Sequence, residues 1–352
     1  MVRGGGRLMG VWQVDADTLA GSRFVLSRLA ETTASLKKLH QARAAHPGER
    51  RWLDTYLPAY RARLAADPVT ARLVEAAFGA AWNADFITPT PHGAAEDDLD
   101  EGLARIRATS PEGVRADLSV SSPGPLPAQV RDAEDPAGRV AELLAWVWRR
   151  TVLPEWPRRR RVLEADVVAR TRQLTVGGWA AAFSGMRHTM RWRGDGRLQI
   201  NTHAYPPRDV SGARLLFVPV TPEQGWVSCP EPPGGGRADR YAVVYPCAAV
   251  LADAGRPAPP QGLSALIGAA RAHVLVLLAG PLTTTQLVAL TGQGLGSVGR
   301  HLKVLLGAGL VERRRTGRSV LYFRTVAGDA LVGAGGGLPG PVRRPPDAGN
   351  LR

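Results

Sequence analysis

The chain has 352 residues, enough for two or three domains, and 44% hydrophobic content, ordinary for a globular protein. No apolar run approaches the ~18 residues of a membrane-spanning helix, and two cysteines exclude a disulfide scaffold. The net charge of +14 suits an acidic partner, but 42 of the 45 basic residues are arginine, with lysine only at Lys37, Lys38 and Lys303. Local concentration of charge is therefore more telling than the total.

The first residues, MVRGGGRLMGVWQVDADTLA, lack a signal-peptide core, so a cytoplasmic protein is expected. Residues 1–8 are Gly/Arg-rich and read as a disordered start, with Met9 an alternative first residue. Residues 9–186 read as mostly helical. Asp17 to His40 carries Leu19, Phe24, Leu26, Leu29, Leu36 and Leu39 among polar residues. Arg51 to Ala66 places Trp52, Leu53, Leu57, Tyr60 and Leu64 at spacings near three and four. Pro68 to Phe78 is a further helix, with Pro68 suited to its first turn. Thr88-Pro-Thr-Pro-His92 breaks the pattern, Glu96 to Ala108 is a charged helix, and 119–138 reads as a loop. Asp135 to Trp156 and Arg158 to Ala182 are the last two helices of this part.

The period then changes. Met190 to Ile200 alternates around Gly194-Asp195-Gly196, a hairpin signature, and Leu215–Val220 and Tyr241–Tyr245 are apolar and β-rich. Residues 187–250 are thus a small β-containing region, closing an N-terminal domain of 9–250 with an effector or dimerisation role. Residues 251–262, with Pro257, Pro259 and Pro260, form a linker.

Helical spacing returns at Leu263, Leu266, Ile267, Ala270, Val274, Leu277 and Leu278, and Gly280-Pro281 stops it. Thr283 is an N-cap for a second helix bearing Leu287, Val288 and Leu290. Thr291 to Gly294 is a turn. A third helix directs Leu295, Val298, Leu302, Leu305 and Leu306 inward and Ser297, Arg300 and Lys303 outward, and Gly307 and Gly309 end it. Leu310–Arg315 and Ser319–Thr325 form a hairpin about Thr316-Gly317-Arg318. Residues 263–328 therefore read as a winged helix-turn-helix and 329–352 as a disordered tail. The fold class expected is α+β: a mainly helical N-terminal domain with a small β-containing region, then the winged helix.

From 263 to 325 eight basic residues (Arg271, Arg300, Lys303, Arg313, Arg314, Arg315, Arg318 and Arg324) face one acid, Glu312. That +7 is half the chain's charge in under a fifth of its length. A basic run alone is usually a solvated face. Behind a helix-turn-helix spacing it implies double-stranded DNA as partner.

GRHLKVLLGAGLVERRRTGRSVLYFRT resembles the ArsR-type (arsenic-repressor) family of bacterial winged-helix regulators. The resemblance covers about 263–328. It implies a homodimer that binds palindromic operators and represses until an effector, such as a small molecule, binds. It also places Ser297, Gly299, Arg300 and His301 in the recognition-helix segment and Arg315 and Arg318 in the wing. The candidate DNA-binding set is completed by Thr284, Leu295, Lys303 and Arg313. The family commonly has Ser where this chain has Gly294 and Gly299, so two hydroxyl donors are absent, and each interior glycine costs about 1 kcal/mol of helix stability. The order of upstream features is Asp15-Ala-Asp17, Arg23-Phe24, Asp85-Phe-Ile-Thr-Pro89, Arg107-Ala-Thr-Ser-Pro111, Leu163-Glu-Ala-Asp166 and Val243-Val-Tyr-Pro246. It resembles the long N-terminal domain, of unassigned role, of some actinobacterial regulators of this type.

Gly294-Leu-Gly-Ser-Val-Gly299 spells G-x-G-x-x-G, but the dinucleotide fingerprint needs a preceding strand and an acid about 20 residues on. No cofactor is expected. Metal sensors of the family carry a Cys-x-Cys pair on the second helix, and Thr283–Leu290 has no cysteine. Cys229 and Cys247, with His188 and His203, read either as a metal site or as unconnected residues, the latter favoured because no ligand spacing supports a site. Trp179, Trp192 and Trp226 read as core packing or as the lining of an apolar effector pocket. Arg158–Arg161 reads as a second DNA-facing patch or a solvated helix start. Asp97, Asp98, Asp100 and Glu101 read as a complement to the helix dipole. No nucleophile elbow or His-Glu-x-x-His is present, so a regulator is expected and not an enzyme. The alternative is a ligand-sensing or enzymatic N-terminal domain with DNA binding secondary.

Overall fold

The structure, a computed structural model, describes residues 10–45, 47–79, 82–92, 96–122, 124–202, 207–229, 238–247, 259–278, 282–291, 293–316 and 319–334. Residues 1–8, most of 251–262 and the end of the tail lie outside them. The chain divides into two compact units, Met1–Gly255 and Arg256–Arg352.

The first unit opens with strand β1 (Val11–Gln13), helix α1 (Ala16–Gly21) and strands β2 (Arg23–Phe24) and β3 (Leu26–Ser27). The stretch from Asp17 to His40 is therefore not one helix. Ser22 is extended, Phe24 pairs in register with Phe217, and only α2 (Arg28–Gln41) is the long helix. Ser27 caps α2 by accepting from Ala30 N at 3.1 Å. α2 is buried almost all round and packs against α3 (Pro47–Ala65), α5 (Leu99–Arg107) and α8 (Pro136–Val147). α4 (Pro68–Ala77) has Asp67 as N-cap and Pro68 in its first turn. Strand β4 (Glu96–Asp97) precedes α5, so the charged helix begins at Leu99. α6 (Pro111–Ser121), capped by Ser110, and α7 (Ala128–Arg131) occupy part of what reads as loop. After α8 the chain makes a π-helical turn, Trp148–Val152, and a 3₁₀ turn, Leu153–Glu155, before α9 (Trp156–Phe183).

The β-containing part builds two sheets that recruit the N-terminal strands. β5 (Arg191–Trp192) and β6 (Arg197–Gln199) form the expected hairpin, with Gly194, Asp195 and Gly196 all at positive φ. With β1 and β7 (Arg208–Asp209) they give the order β5-β6-β1-β7. β8 (Arg214–Val220), β9 (Trp226–Ser228) and β10 (Arg240–Pro246) join β2 in the order β2-β8-β10-β9. β8 and β10 are parallel, with Leu215 opposite Tyr241. Both faces of this sheet are covered, which is why β8 and β10 are near-continuously apolar. One face packs Phe217, Tyr241 and Val243 with Trp12, Phe183 and Leu198. The other packs Leu216, Val218 and Val244 with Ala30 and Ala34 of α2.

The second unit runs α10 (Gln261–Ile267), α11 (Ala269–Leu277), β11 (Leu282–Thr283), α12 (Thr284–Thr291), α13 (Leu295–Gly307), β12 (Val311–Thr316), β13 (Ser319–Arg324) and α14 (Val326–Ala334). Gly268, at φ 84°, splits what reads as a single first helix. α14 carries helix to Ala334, past residue 328, where a disordered tail is expected. The three strands form one antiparallel sheet, β11-β13-β12. This is the α+β architecture expected, with the helix-turn-helix followed by its wing.

Candidate nucleic-acid interface

The second unit is held by local chemistry. Thr283 Oγ1 accepts from Gln286 N at 3.2 Å, and Gln286 Oε1 accepts from Thr283 N at 2.8 Å, a reciprocal capping box at the start of α12. Leu287 is fully buried. Thr291 Oγ1 donates to Leu287 O and accepts from Gln293 N, closing α12 onto the turn. α13 then begins at Gly294, which offers no side-chain cap.

Val298, Leu302 and Leu305 of α13 are buried, and each contributes roughly 1.5–3 kcal/mol through apolar area removed from water. Arg300 and Lys303 lie opposite them and are exposed, as is Gly299. Ser297 and His301 are half-buried, with Ser297 Oγ 3.3 Å from both Gln293 Oε1 and His301 Nε2. Thr284 is half-buried at the start of α12.

Leu295 differs from expectation: it is 63% exposed and not inward. Helical side chains lean toward the N-terminus, so the first residue of α13 overhangs the turn instead of meeting the core. Val304 is also exposed. α13 ends in a Schellman arrangement: Gly309 at φ 68° donates to Leu306 O, and Leu310 N donates to Leu305 O, both at 3.0 Å.

Strand β12 starts at buried Val311 and continues through exposed Glu312, Arg313, Arg314 and Arg315. The Arg314 guanidinium lies 5.7 Å from the Phe323 ring centroid. Arg318, at the expected tip, lies outside the described residues. Arg271 and Arg324 also act within the unit. Arg271 Nε donates to Ile267 O at 2.6 Å, bridging the Gly268 break. Arg324 Nε sits 2.9 Å from Asp329 Oδ1 on α14, and its side chain is 14% exposed. Arg300, Lys303 and Arg313–Arg315 are exposed, on two consecutive elements.

A family model described as "Bacterial regulatory protein, arsR family" matches residues 271–313, from α11 into β12. The chain carries an ArsR-family DNA-binding domain. It is, on that ground, a DNA-binding transcriptional regulator with a long N-terminal region. No curated protein and no solved structure matches the chain. Within the ArsR-family domain the Gly294–Gly299 run follows helix α12 and a turn, not a strand.

The first unit distributes its candidates differently. Trp179 stacks on Phe183 at 5.2 Å and meets Phe217 at 5.4 Å, and Trp192 lies 6.0 Å from Phe183, so both pack against the core. Trp226 is buried in the α2-facing core, beside a hollow of about 10 Å³, room for a single water centre. Of Arg158–Arg161, Arg159 is buried against Glu31 at 2.7 Å and Glu155 at 3.1 Å, and Arg160 pairs with Glu96 and Glu164. Arg159 and Arg160 of the run are thus paired with internal carboxylates. Asp98 caps α5 by accepting from Asp100 N, while Asp97 is buried and accepts from Ser27 Oγ at 3.1 Å. Cys247 is buried, and burial pushes its thiol well above the ordinary range. Cys229 is half-buried, and His203 lies outside the described residues. Among the described residues no group of three His, Cys, Asp or Glu side chains has metal-holding geometry, and no helix is long and apolar enough to cross a membrane.

Proposed function

We propose that this chain is a sequence-specific, homodimeric transcriptional repressor acting in the cytoplasm, and not an enzyme. The observation that carries this reading is the outward row of Arg300 and Lys303 on α13, continued by Arg313–Arg315 on β12. α13 is the recognition helix, entering the major groove, and the β12–β13 hairpin meets the backbone beside it. The operator is a two-fold symmetric duplex. Exposed Leu266 on α10 and Val326 on α14, 68% and 88% accessible, supply apolar surface for a second copy. Repression follows the habit of the family that the domain resembles.

The effector is not a soft metal held on α12, which has no cysteine. Zinc, arsenite and copper are expected to leave operator binding intact. The test of the whole reading is footprinting on genomic fragments together with light scattering. A dimer protecting two half-sites about one helical turn apart supports it. A monomer protecting an unsymmetrical site overturns it.

A further inference from the structure

Leu295 is the first residue of α13, and it is 63% exposed. A single exposed leucine is ordinary on a protein surface, so its position is what counts. The backbone fixes that position. Gly294 is extended, at φ −66° and ψ 151°, and its carbonyl accepts from Ser297 N at 2.9 Å and from Val298 N at 3.1 Å. The first turn of α13 is thereby closed, with Leu295 at its head.

The first turn presents no other exposed side chain. Val298 is buried in the core. Ser297 is half-buried, with its hydroxyl 3.3 Å from both Gln293 Oε1 and His301 Nε2. Gly296 has no side chain to offer. The residues on either side of Leu295 are Gly294 and Gly296, and Gly299 stands one turn on, where a longer side chain would lean back over it. Apart from its chain neighbours and the helix's own backbone, a Cβ at any of these three glycines would meet nothing within 4 Å. None of them has a φ in the left-handed region. Leu295 is therefore presented bare, on a helix that also carries exposed Arg300 and Lys303.

The chemistry of the partner follows from the place. In a helix-turn-helix the N-terminal residues of the recognition helix meet base edges in the major groove. A leucine has no hydrogen bond to give, so it matches neither a phosphate nor a polar base edge. The apolar group that the major groove displays is the C5-methyl of thymine. Arg300 and Lys303 supply the charge that draws the duplex against the same helix.

We propose that Leu295 is a specificity-determining residue that packs on the C5-methyl group of a thymine in the operator half-site. The proposal rests on the regulator reading above, and the experiment separates the two.

The full chain selects duplexes from a random-sequence library. Wild type is expected to enrich a site with a fixed thymine, and Leu295→Ala the same site with that position relaxed. In the selected duplex the thymine is then replaced by deoxyuridine, which keeps every hydrogen bond and removes only the methyl. Wild type is expected to bind the deoxyuridine duplex about fourfold more weakly per replaced thymine, equivalent to the ~0.8 kcal/mol of one buried methyl-sized group. Leu295→Ala and the polar isostere Leu295→Asn are expected to bind the two duplexes equally. Equal binding of both duplexes by wild type overturns the proposal and leaves sequence-specific DNA binding standing. Full discrimination by either variant does the same, so one folded variant suffices. Enrichment of no sequence at all overturns both readings.

Discussion

Tyr245 donates its hydroxyl proton to Asp166 Oδ2 at 2.8 Å, joining β10 to α9 in the buried interior. The Arg170 guanidinium lies 5.5 Å from the same tyrosine ring and 3.7 Å from the same carboxylate oxygen. Arg170 also donates to Ala182 O, Ser184 O and Gly185 O, closing the end of α9. Leu163-Glu-Ala-Asp166 and Val243-Val-Tyr-Pro246 are therefore two halves of one contact. Tyr245→Phe keeps the ring and removes the donor to a buried carboxylate. It is expected to cost about 1–3 kcal/mol in urea unfolding of the first unit. An unchanged midpoint would show that the bond contributes nothing net.

Lys37 carries the clearest pH signature. Its Nζ donates to Asn83 Oδ1 at 2.7 Å and lies 5.7 Å from the Phe78 ring centroid. Burial, with Arg187 adding repulsion, lowers its pKa from 10.5 to about 8. The folded state thus favours the neutral amine. That contribution is fully present above the unfolded value of 10.5 and is lost as pH falls through about 8. Wild-type stability should rise relative to Lys37→Met by up to ~3 kcal/mol between pH 7 and pH 10.5. Parallel stability–pH curves for the two proteins would refute the assignment.

Gly328 is fixed by close approach. A Cβ there would stand 2.1 Å from the carbonyl oxygen of Leu310, a backbone atom without freedom to move. Gly328 N also donates to Thr325 Oγ1 at 3.1 Å, the cap of α14. Gly328→Ala is expected to destabilise the second unit by about 1–3 kcal/mol through overpacking and to loosen α14. Hydrogen exchange across 326–334 reads this directly, and unchanged protection would contradict it.

Much of the second unit is legible because its determinants are local. Thr283 and Gln286 are three residues apart, Gly309 stands one residue past the C-cap, and Val298, Leu302 and Leu305 follow one helical period. The pairing of β11 with β13 is not legible, because Leu282-Thr283 is too short to show a period. The same holds for β1, whose partner β6 begins at Arg197. Lys38, Trp52 and Arg159 come together from three helices to line one cleft of the first unit, so that lining has no spacing to detect. The exposure of Leu295 is not legible either, because angular position alone ignores the lean of a first-turn side chain.

Gly299 lies inside α13 with open space where a Cβ would be. Its φ is not in the left-handed region, so alanine is compatible with the backbone there. Gly299→Ala is expected to raise the stability of the second unit by about 1 kcal/mol, since it removes only backbone entropy from the unfolded chain. Calorimetric unfolding checks this. A lowered transition would mean that α13 is not a regular helix at this position.

Arg300 and the strand cations should divide the work on DNA. Arg300 is exposed on α13, one turn from its start, where a side chain entering the major groove reaches a base edge. A bidentate contact with guanine discriminates by about 1–3 kcal/mol. Arg313 stands on β12, outside the groove-entering helix, and a phosphate contact there carries little sequence information. Arg300→Ala should therefore weaken operator binding more than binding to random duplex. Arg313→Ala should weaken both alike and reduce the salt slope by about one unit. Competition binding at several salt concentrations separates the two. Glycines at 296 and 299 precede Arg300 and lower the helix propensity of this turn, so the ratio of specific to random affinity is the decisive readout. If that ratio is the same for Arg300→Ala as for wild type, Arg300 reads no base.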